Sequence, residues 1–325
     1  MKISLREAAD ELWQASSVVI TSHQNPDGDA IGSALGLMHF LQSLGKKVTV
    51  LIDDDIPAIF SVLPGYELIG KVTSETAIKA DLLVALDVDL DRIGRAAEVV
   101  KTRRPILNID HHVTNADNDA KKLYLDGTCA ATAEIIYQLI IELRKKPDAA
   151  VAMALYTGIA TDCGWFRYSN TTPNTLKIAA DLLAAGAKPS DISEALEQKP
   201  YDRVKSLAAA MGQIELFHDK RAAGVFLDFA AMEKLEHTDG LIDMIRVIEG
   251  TDIAVVMKEK ELGKSRVSMR SKGLDVTKIA VKFGGGGHIR AAGCAIEKNF
   301  SEAKQELIAA IDEALDAAQE GGNSL

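Results

Sequence analysis

The chain has 325 residues, 47% hydrophobic and only 5% aromatic, with a formal net charge of -10, so a large aliphatic core and two domains are expected. The acidic balance argues against a general nucleic-acid coat or a membrane-surface protein, while leaving room for a local basic site. Three widely spaced cysteines, Cys129, Cys163 and Cys294, argue against a disulfide framework or a thiolate zinc site.

Residues 1–16 read as an amphipathic helix, and Glu7, Asp10 and Glu11 interrupt any apolar leader. No apolar run of about 18 residues occurs, so a cytoplasmic chain without a membrane span is expected. A short strand follows at 18–21, then an apolar helix over 31–44 that stops at Gly45. Further strands are predicted at 48–52, 82–86 and 106–109, and helices near 130–144 and 149–159. Strands alternating with helices imply an α/β fold with a mostly parallel sheet flanked by helices.

Each of these strands runs into polar residues at its C-terminal end, where parallel sheets bind ligands. The first run is His23-Gln24-Asn25-Pro26-Asp27-Gly28-Asp29. Asp27 and Asp29 are two apart, so an extended backbone points both the same way, with Gly28 permitting a tight turn. The second run, 53–55, reads as a solvated turn. Asp87 closes the third strand, and Asp110-His111-His112 the fourth. Asp162 ends an apolar helix, where the helix dipole disfavours a lone carboxylate. Taken singly, these residues suit turns, caps and satisfied histidines. Together they gather negative charge at one sheet edge, at a cost of several kcal/mol without a cation. Two divalent ions about 3.5–4 Å apart would remove that cost and create a hydrolytic centre. Carboxylates with imidazole suit Mn²⁺, with Mg²⁺ as the alternative.

A helix at 176–186 precedes a polar stretch bracketed by Pro189 and Pro200, which reads as inter-domain. Beyond residue 215 a smaller α+β domain is predicted. Its strands are expected at 222–227, 253–258, 266–269 and 291–296, with a helix at 276–283. That helix ends in Gly284-Gly285-Gly286-Gly287-His288, a loop able to turn backbone N–H groups toward an anion. Residues 264–290 carry seven lysines and arginines against the single acid Asp275, in a chain whose remainder is strongly acidic. Such a basic insert points to an anion site. Trp165, Phe166 and Tyr168 suit either base stacking or core packing.

The Asp110-His111-His112 run, with Pro26-Asp27-Gly28-Asp29 upstream and Thr157-Gly158-Ile159-Ala160-Thr161-Asp162 downstream, resembles the DHH phosphoesterase superfamily over the whole chain. The resemblance is strongest to its nanoRNase/pAp phosphatase branch. It implies a catalytic metal-binding domain over 1–187, a helical linker over 188–215 and a substrate-binding domain over 216–325. It implies that His23 and Asp27 bind one metal, that Asp29, His111 and Asp162 bind the other, and that Asp87 bridges both. Asp110 would orient ligands and His112 would contact the scissile phosphate. Ser268, Arg270, Ser271, Gly285, Gly286, Gly287 and His288 would grip the nucleotide, in a cleft between the domains. The implied activity is hydrolysis of short oligoribonucleotides and of 3′-phosphoadenosine 5′-phosphate (pAp). Hydrolysis of linear or cyclic dinucleotides is the alternative, and a non-catalytic nucleotide sensor a second one. The expected partners are short RNA or small nucleotides, without membrane or DNA duplex; a homodimer stays open.

Overall fold

A computed structural model of the chain describes residues 1–115, 121–235, 238 and 240–322. They form two compact units, Met1–Gln198 and Lys199–Leu325.

The first unit contains α1 (Leu5–Gln14), β1 (Ser17–Thr21), α2 (Gly28–Ser43), β2 (Lys47–Ile52), β3 (Ile69–Lys71), β4 (Ile78–Ala80), β5 (Leu82–Leu86), α3 (Ala96–Val99), β6 (Val100–Thr102) and β7 (Ile106–Asp110). It continues with β8 (Lys121–Leu125), α4 (Thr132–Glu142), α5 (Ala149–Asp162), α6 (Pro173–Ala185) and α7 (Pro189–Glu197). A six-stranded sheet runs in the order β3-β2-β1-β5-β7-β8, all pairs parallel. Alternation decides which side chains face which layer. Val18 and Ile20 of β1 join the core under α1, α2, α4 and α5, whereas Val19 packs with Leu51, Leu83, Ala96 and Val100 on the other face. β5 is buried throughout, as expected for a central parallel strand.

The helices α2 and α5 approach closely because glycines line the contact. A Cβ on Gly32 would lie 2.5 Å from the Ala154 carbonyl, and one on Gly28 would lie 2.2 Å from Thr161 Oγ1. Gly28 was expected to make a turn. It is instead the first residue of α2, and its small size is needed for packing.

The second unit contains α8 (Tyr201–Met211), β9 (Glu215–Phe217), β10 (Ala222–Leu227), α9 (Phe229–Lys234), α10 (Leu241–Ile245), β11 (Ile253–Glu261), β12 (Lys264–Ser271), α11 (Thr277–Lys282), β13 (Gly286–His288), β14 (Ala291–Ile296) and α12 (Phe300–Gly322). Its sheet runs β13-β14-β12-β11-β10-β9, with only β10 and β11 parallel. The long α12 follows the closing strand and packs Ala303, Leu307, Ile311 and Leu315 into that sheet's core. Two helices, α7 between the prolines and α8 just after Pro200, occupy the expected linker over 188–215. Ile192 of α7 is buried in the first unit's core, while Leu207 and Ala210 of α8 are buried in the second unit. Among the described residues no helix is long and apolar enough to cross a membrane.

Candidate metal centre and basic face

The sequence places six acids and histidines at strand or helix ends, and the fold brings them together at one sheet edge. His23, Asp27 and Asp87 form one group, and Asp29, His111 and Asp162 another. Within each, one ligand atom per residue lies within 4.8 Å of the others. Asp87 with His111 and His112 forms a third group on the same criterion.

The two aspartates of the first run do not point the same way, because the helix begins between them. Asp27 is the N-cap of α2 and accepts from the Asp29 and Ala30 amides, both at 3.0 Å. Asp29 sits in the first helical turn and turns inward. Its carboxylate accepts from the Thr132 amide at 2.6 Å, the Ala133 amide at 2.9 Å and the Ser33 hydroxyl at 3.1 Å. Those two amides open α4, whose own N-cap, Ala131, offers no side-chain bond. Asp29 therefore caps a helix that it does not belong to, and the positive end of α4 favours its charge.

Asp87 lies between the groups. Its Oδ2 is 3.7 Å from His23 Nε2, and its Oδ1 is 3.6 Å from His111 Nε2. Its backbone is left-handed, at φ 58°, and its amide donates to the Ile109 carbonyl at 3.0 Å. A non-glycine residue held in that region costs on the order of 1–3 kcal/mol and is common where a site demands one orientation.

The histidines are set by their second nitrogens. His23 Nδ1 is 2.8 Å from the Gln24 carbonyl and His111 Nδ1 is 3.3 Å from the Cys129 carbonyl, so each donates there and turns Nε2 to the acids. Among the described residues His111 Nε2 is buried without a hydrogen-bond partner. It faces oxygens of Asp29, Asp87 and Asp162 at 4.0, 3.6 and 3.7 Å. An orphaned imidazole nitrogen facing three carboxylates is what a divalent cation would satisfy.

Electrostatics show the same strain. Burial, and then the neighbouring carboxylate of Asp29, hold Asp87 well above the usual carboxylate range. Burial likewise raises Asp29. Burial and Asp29 push Asp162 up to about 6. Burial alone would lower His23, but Asp27 and Asp87 outweigh it and push it up to about 10. The acids thus compete for positive charge, and a cation would relieve all of them.

Asp110 stands behind this cluster. Its Oδ1 accepts from the His111 amide at 2.7 Å, the His112 amide at 3.1 Å and His112 Nδ1 at 2.8 Å. Asn115 donates to its Oδ2 at 2.5 Å. The contact with Asp110 is the chief reason that His112 is pushed up to about 9. The ring is half-exposed, with Nε2 on its unbonded side.

Some supporting residues were not visible in the sequence. The run 53–55 is solvated at Asp55 but not at Asp53. Asp53 is buried and accepts from the Arg95 amide, Nε and Nη2, and Asp54 accepts from the Asn25 amide at 2.8 Å. The bond to Asn25 ties down the segment between His23 and Asp27. The signal was its position at the end of a parallel strand, like the other acids. Trp165 and Phe166 are left-handed, at φ 58° and 63°, and pack against the core, while Tyr168 is exposed.

In the second unit the basic face is built across three strands. Register pairs Ser268 with Gly293 and Arg270 with Ala291 on one side, and Gly286 with Gly293 and His288 with Ala291 on the other. Paired residues share a sheet face, so Ser268, Arg270, Gly286 and His288 flank a floor of Ala291 and Gly293. The glycine run leads into and forms part of the edge strand β13 and is not a free loop, because small residues let it lie against β14. A Cβ on Gly285 would lie 2.2 Å from the Gly293 carbonyl, and one on Gly287 2.5 Å from the Ala291 carbonyl. Ser271 alternates to the opposite face and donates its hydroxyl to the Leu274 carbonyl.

The chain matches the DHH family N-terminal domain over residues 17–159 and the DHHA1 domain over residues 231–317. It is 32% identical to the bifunctional oligoribonuclease and PAP phosphatase NrnA of Thermus thermophilus, covering 93% of this chain and 91% of that protein. It is 28% identical to the protein of the same name from Bacillus subtilis, covering 86% and 89%. Among solved structures, an exopolyphosphatase-related protein from Bacteroides fragilis shares the fold, with a TM-score of 0.82, 24% identity and coverage of 96% and 95%.

Proposed function

The chain belongs to the DHH family, and from that membership we propose that it is a phosphoesterase that cleaves short oligoribonucleotides to mononucleotides and pAp to AMP. The observation that supports the reading most is Asp87, which offers one oxygen to each histidine-containing group. In this reading His23, Asp27 and Asp87 hold one divalent ion, and Asp29, His111, Asp162 and Asp87 the other. Bound there, two such ions supply the charge that makes water a nucleophile near neutral pH and offsets charge on the phosphoryl oxygens.

The chain's own groups do the rest. Asp110 fixes the His112 ring and keeps a proton on Nδ1, leaving Nε2 to meet a phosphoryl oxygen. Gln24 and Cys129 carbonyls fix the tautomers of His23 and His111. Substrate recognition falls to Ser268, Arg270, His288 and the Gly285–Gly287 backbone, where the guanidinium suits a phosphate and β14 presents no bulk. Ser271 supports the turn after β12. The mixed imidazole and carboxylate set favours Mn²⁺ over Mg²⁺, and in this reading the enzyme acts in the cytoplasm.

The test is turnover of pAp, short RNAs, linear dinucleotides and cyclic dinucleotides with Mn²⁺, with Mg²⁺, and with a chelator. Metal-dependent release of AMP from pAp and of mononucleotides from RNA is expected. Preference for a cyclic dinucleotide, or tight binding without turnover, would sink the proposal.

A further inference from the structure

Three of the six clustered residues are touched from one short segment, the turn Cys129–Ala133 at the start of α4, and a fourth, Asp162, is linked to it through Asn170. The Cys129 carbonyl faces His111 Nδ1, and the Thr132 and Ala133 amides hold Asp29. The Thr132 hydroxyl donates to Asp87 Oδ1 at 3.1 Å. Asn170 Nδ2 donates to the Ala130 carbonyl at 3.1 Å and approaches the Asp162 carbonyl at 3.4 Å. The geometry of the centre therefore depends on where this turn is held.

Glu134 holds it. Its side chain is buried, at 1% exposure, and it belongs to none of the three candidate ligand groups. Its Oε2 accepts from the Ala130 amide at 3.1 Å and the Thr175 hydroxyl at 3.0 Å, and its Oε1 accepts from Asn174 Nδ2 at 2.6 Å. No lysine or arginine pairs with it among the described residues. A buried carboxylate satisfied by three neutral donors can act only as an acceptor there. It fastens the start of α4 to the start of α6.

The arrangement is like a capping box divided between two helices, with the acid bonding Ala130, one residue before the N-cap Ala131. In the ordinary box one residue caps the helix and an acid three positions on bonds back to the entering backbone. Here Asp29 of α2 supplies the capping oxygen for α4, and Glu134 supplies the returning acid. Resting on the two-metal reading, we propose that Glu134 is a positioning residue that sets Asp29, Asp87 and His111 for cation binding. It does so by fixing the Cys129–Ala133 turn, without touching metal or substrate.

The test uses the full-length protein with Mn²⁺ as the probe. Amide hydrogen exchange at Thr132 and Ala133, measured with chelator present, and Mn²⁺ affinity are the readouts. Glu134→Ala leaves the Ala130 amide unpaired. It is expected to speed exchange at both amides and weaken Mn²⁺ binding by about 10- to 100-fold, the range for residues that orient ligands. Glu134→Gln keeps an oxygen for Ala130 and Thr175, and its amide can face Asn174 once that side chain flips. It is expected to retain affinity within about threefold. Should Glu134→Ala fail to fold, Asn174→Ala removes one fastening and leaves the carboxylate in place; a loss of about threefold is expected. Wild-type exchange and affinity in a folded Glu134→Ala protein, or in Asn174→Ala if that is the variant that folds, overturns the proposal. A wild-type protein that binds Mn²⁺ yet cleaves no nucleotide would sink the function reading alone, since neither readout here is turnover.

Discussion

The two units concentrate polar residues at a sheet in opposite ways. The first unit buries acids of one sign at the ends of parallel strands. It pays for them with helix N-termini, a left-handed aspartate and two histidines whose Nε2 atoms face the carboxylates. The second unit spreads cations and hydroxyls over an exposed face, with glycine and alanine between them. A buried acidic cluster is fixed in geometry but short of positive charge, so it suits a cation. An exposed basic face over small residues is cheap to keep and adaptable, so it suits a phosphate-bearing ligand. The contrast implies that losses in the first unit should appear in turnover, and losses in the second in substrate affinity.

The largest expected effect is at Asp87. Asp87→Asn keeps the shape but gives each histidine-containing group a weaker neighbour. Turnover should fall by about 10³-fold or more with the fold intact by circular dichroism. Activity near the wild-type level would remove the reason for treating the two groups as one centre.

Cation binding should also show as stability. A ligand present at 100 times its Kd adds about 2.7 kcal/mol. For a unit of this size that raises Tm by about 5–10 °C. Mn²⁺ should produce that shift in the wild type, and Asp29→Asn should reduce it, as read by scanning calorimetry with a chelator control. An equal shift in Asp29→Asn would mean that the cation binds elsewhere.

How far the centre could be read from the chain depends on how local each contribution is. Asp87 and Asp110 close apolar strands of five residues, so their place at the sheet edge follows from strand direction. The opposed directions of Asp27 and Asp29 were not legible from their spacing, because they turn on α2 starting at Gly28 and not after Asp29; the division of ligands between them came from the resemblance alone. Asp29 finds its partners at Thr132 and Ala133, more than a hundred positions away, and no spacing rule reaches that far. Glu134 likewise finds Asn174 and Thr175 at 40 and 41 positions away. Short strands such as β3, β4 and β6 span three residues each and carry too little pattern to be read. The long α12 has apolar residues at helical spacing, Ala303, Leu307, Ile311 and Leu315, and was legible in principle.

On the basic face, His288→Ala should raise KM by about tenfold and leave kcat within about twofold, since it removes binding shared by ground and transition states. A fall in kcat with unchanged KM would place His288 in the chemistry and erase the contrast between the units.

The smallest effects separate the glycines of the edge strand. Gly286 has open space where a Cβ would project, so Gly286→Ala should change stability by no more than about 0.5 kcal/mol. A Cβ on Gly285 would lie 2.2 Å from the Gly293 carbonyl and 2.5 Å from Cys294 Cβ, neither of them a flexible chain end. Gly285→Ala must push β13 away from β14 and should cost about 1–3 kcal/mol in chemical denaturation. It should also weaken nucleotide binding, because displacing β13 moves His288 away from Arg270 across the Ala291 floor. If Gly285→Ala were instead as stable as the wild type and bound nucleotide equally well, the strand would not need its seat against β14. The recognition residues would then have to be held by something other than sheet register.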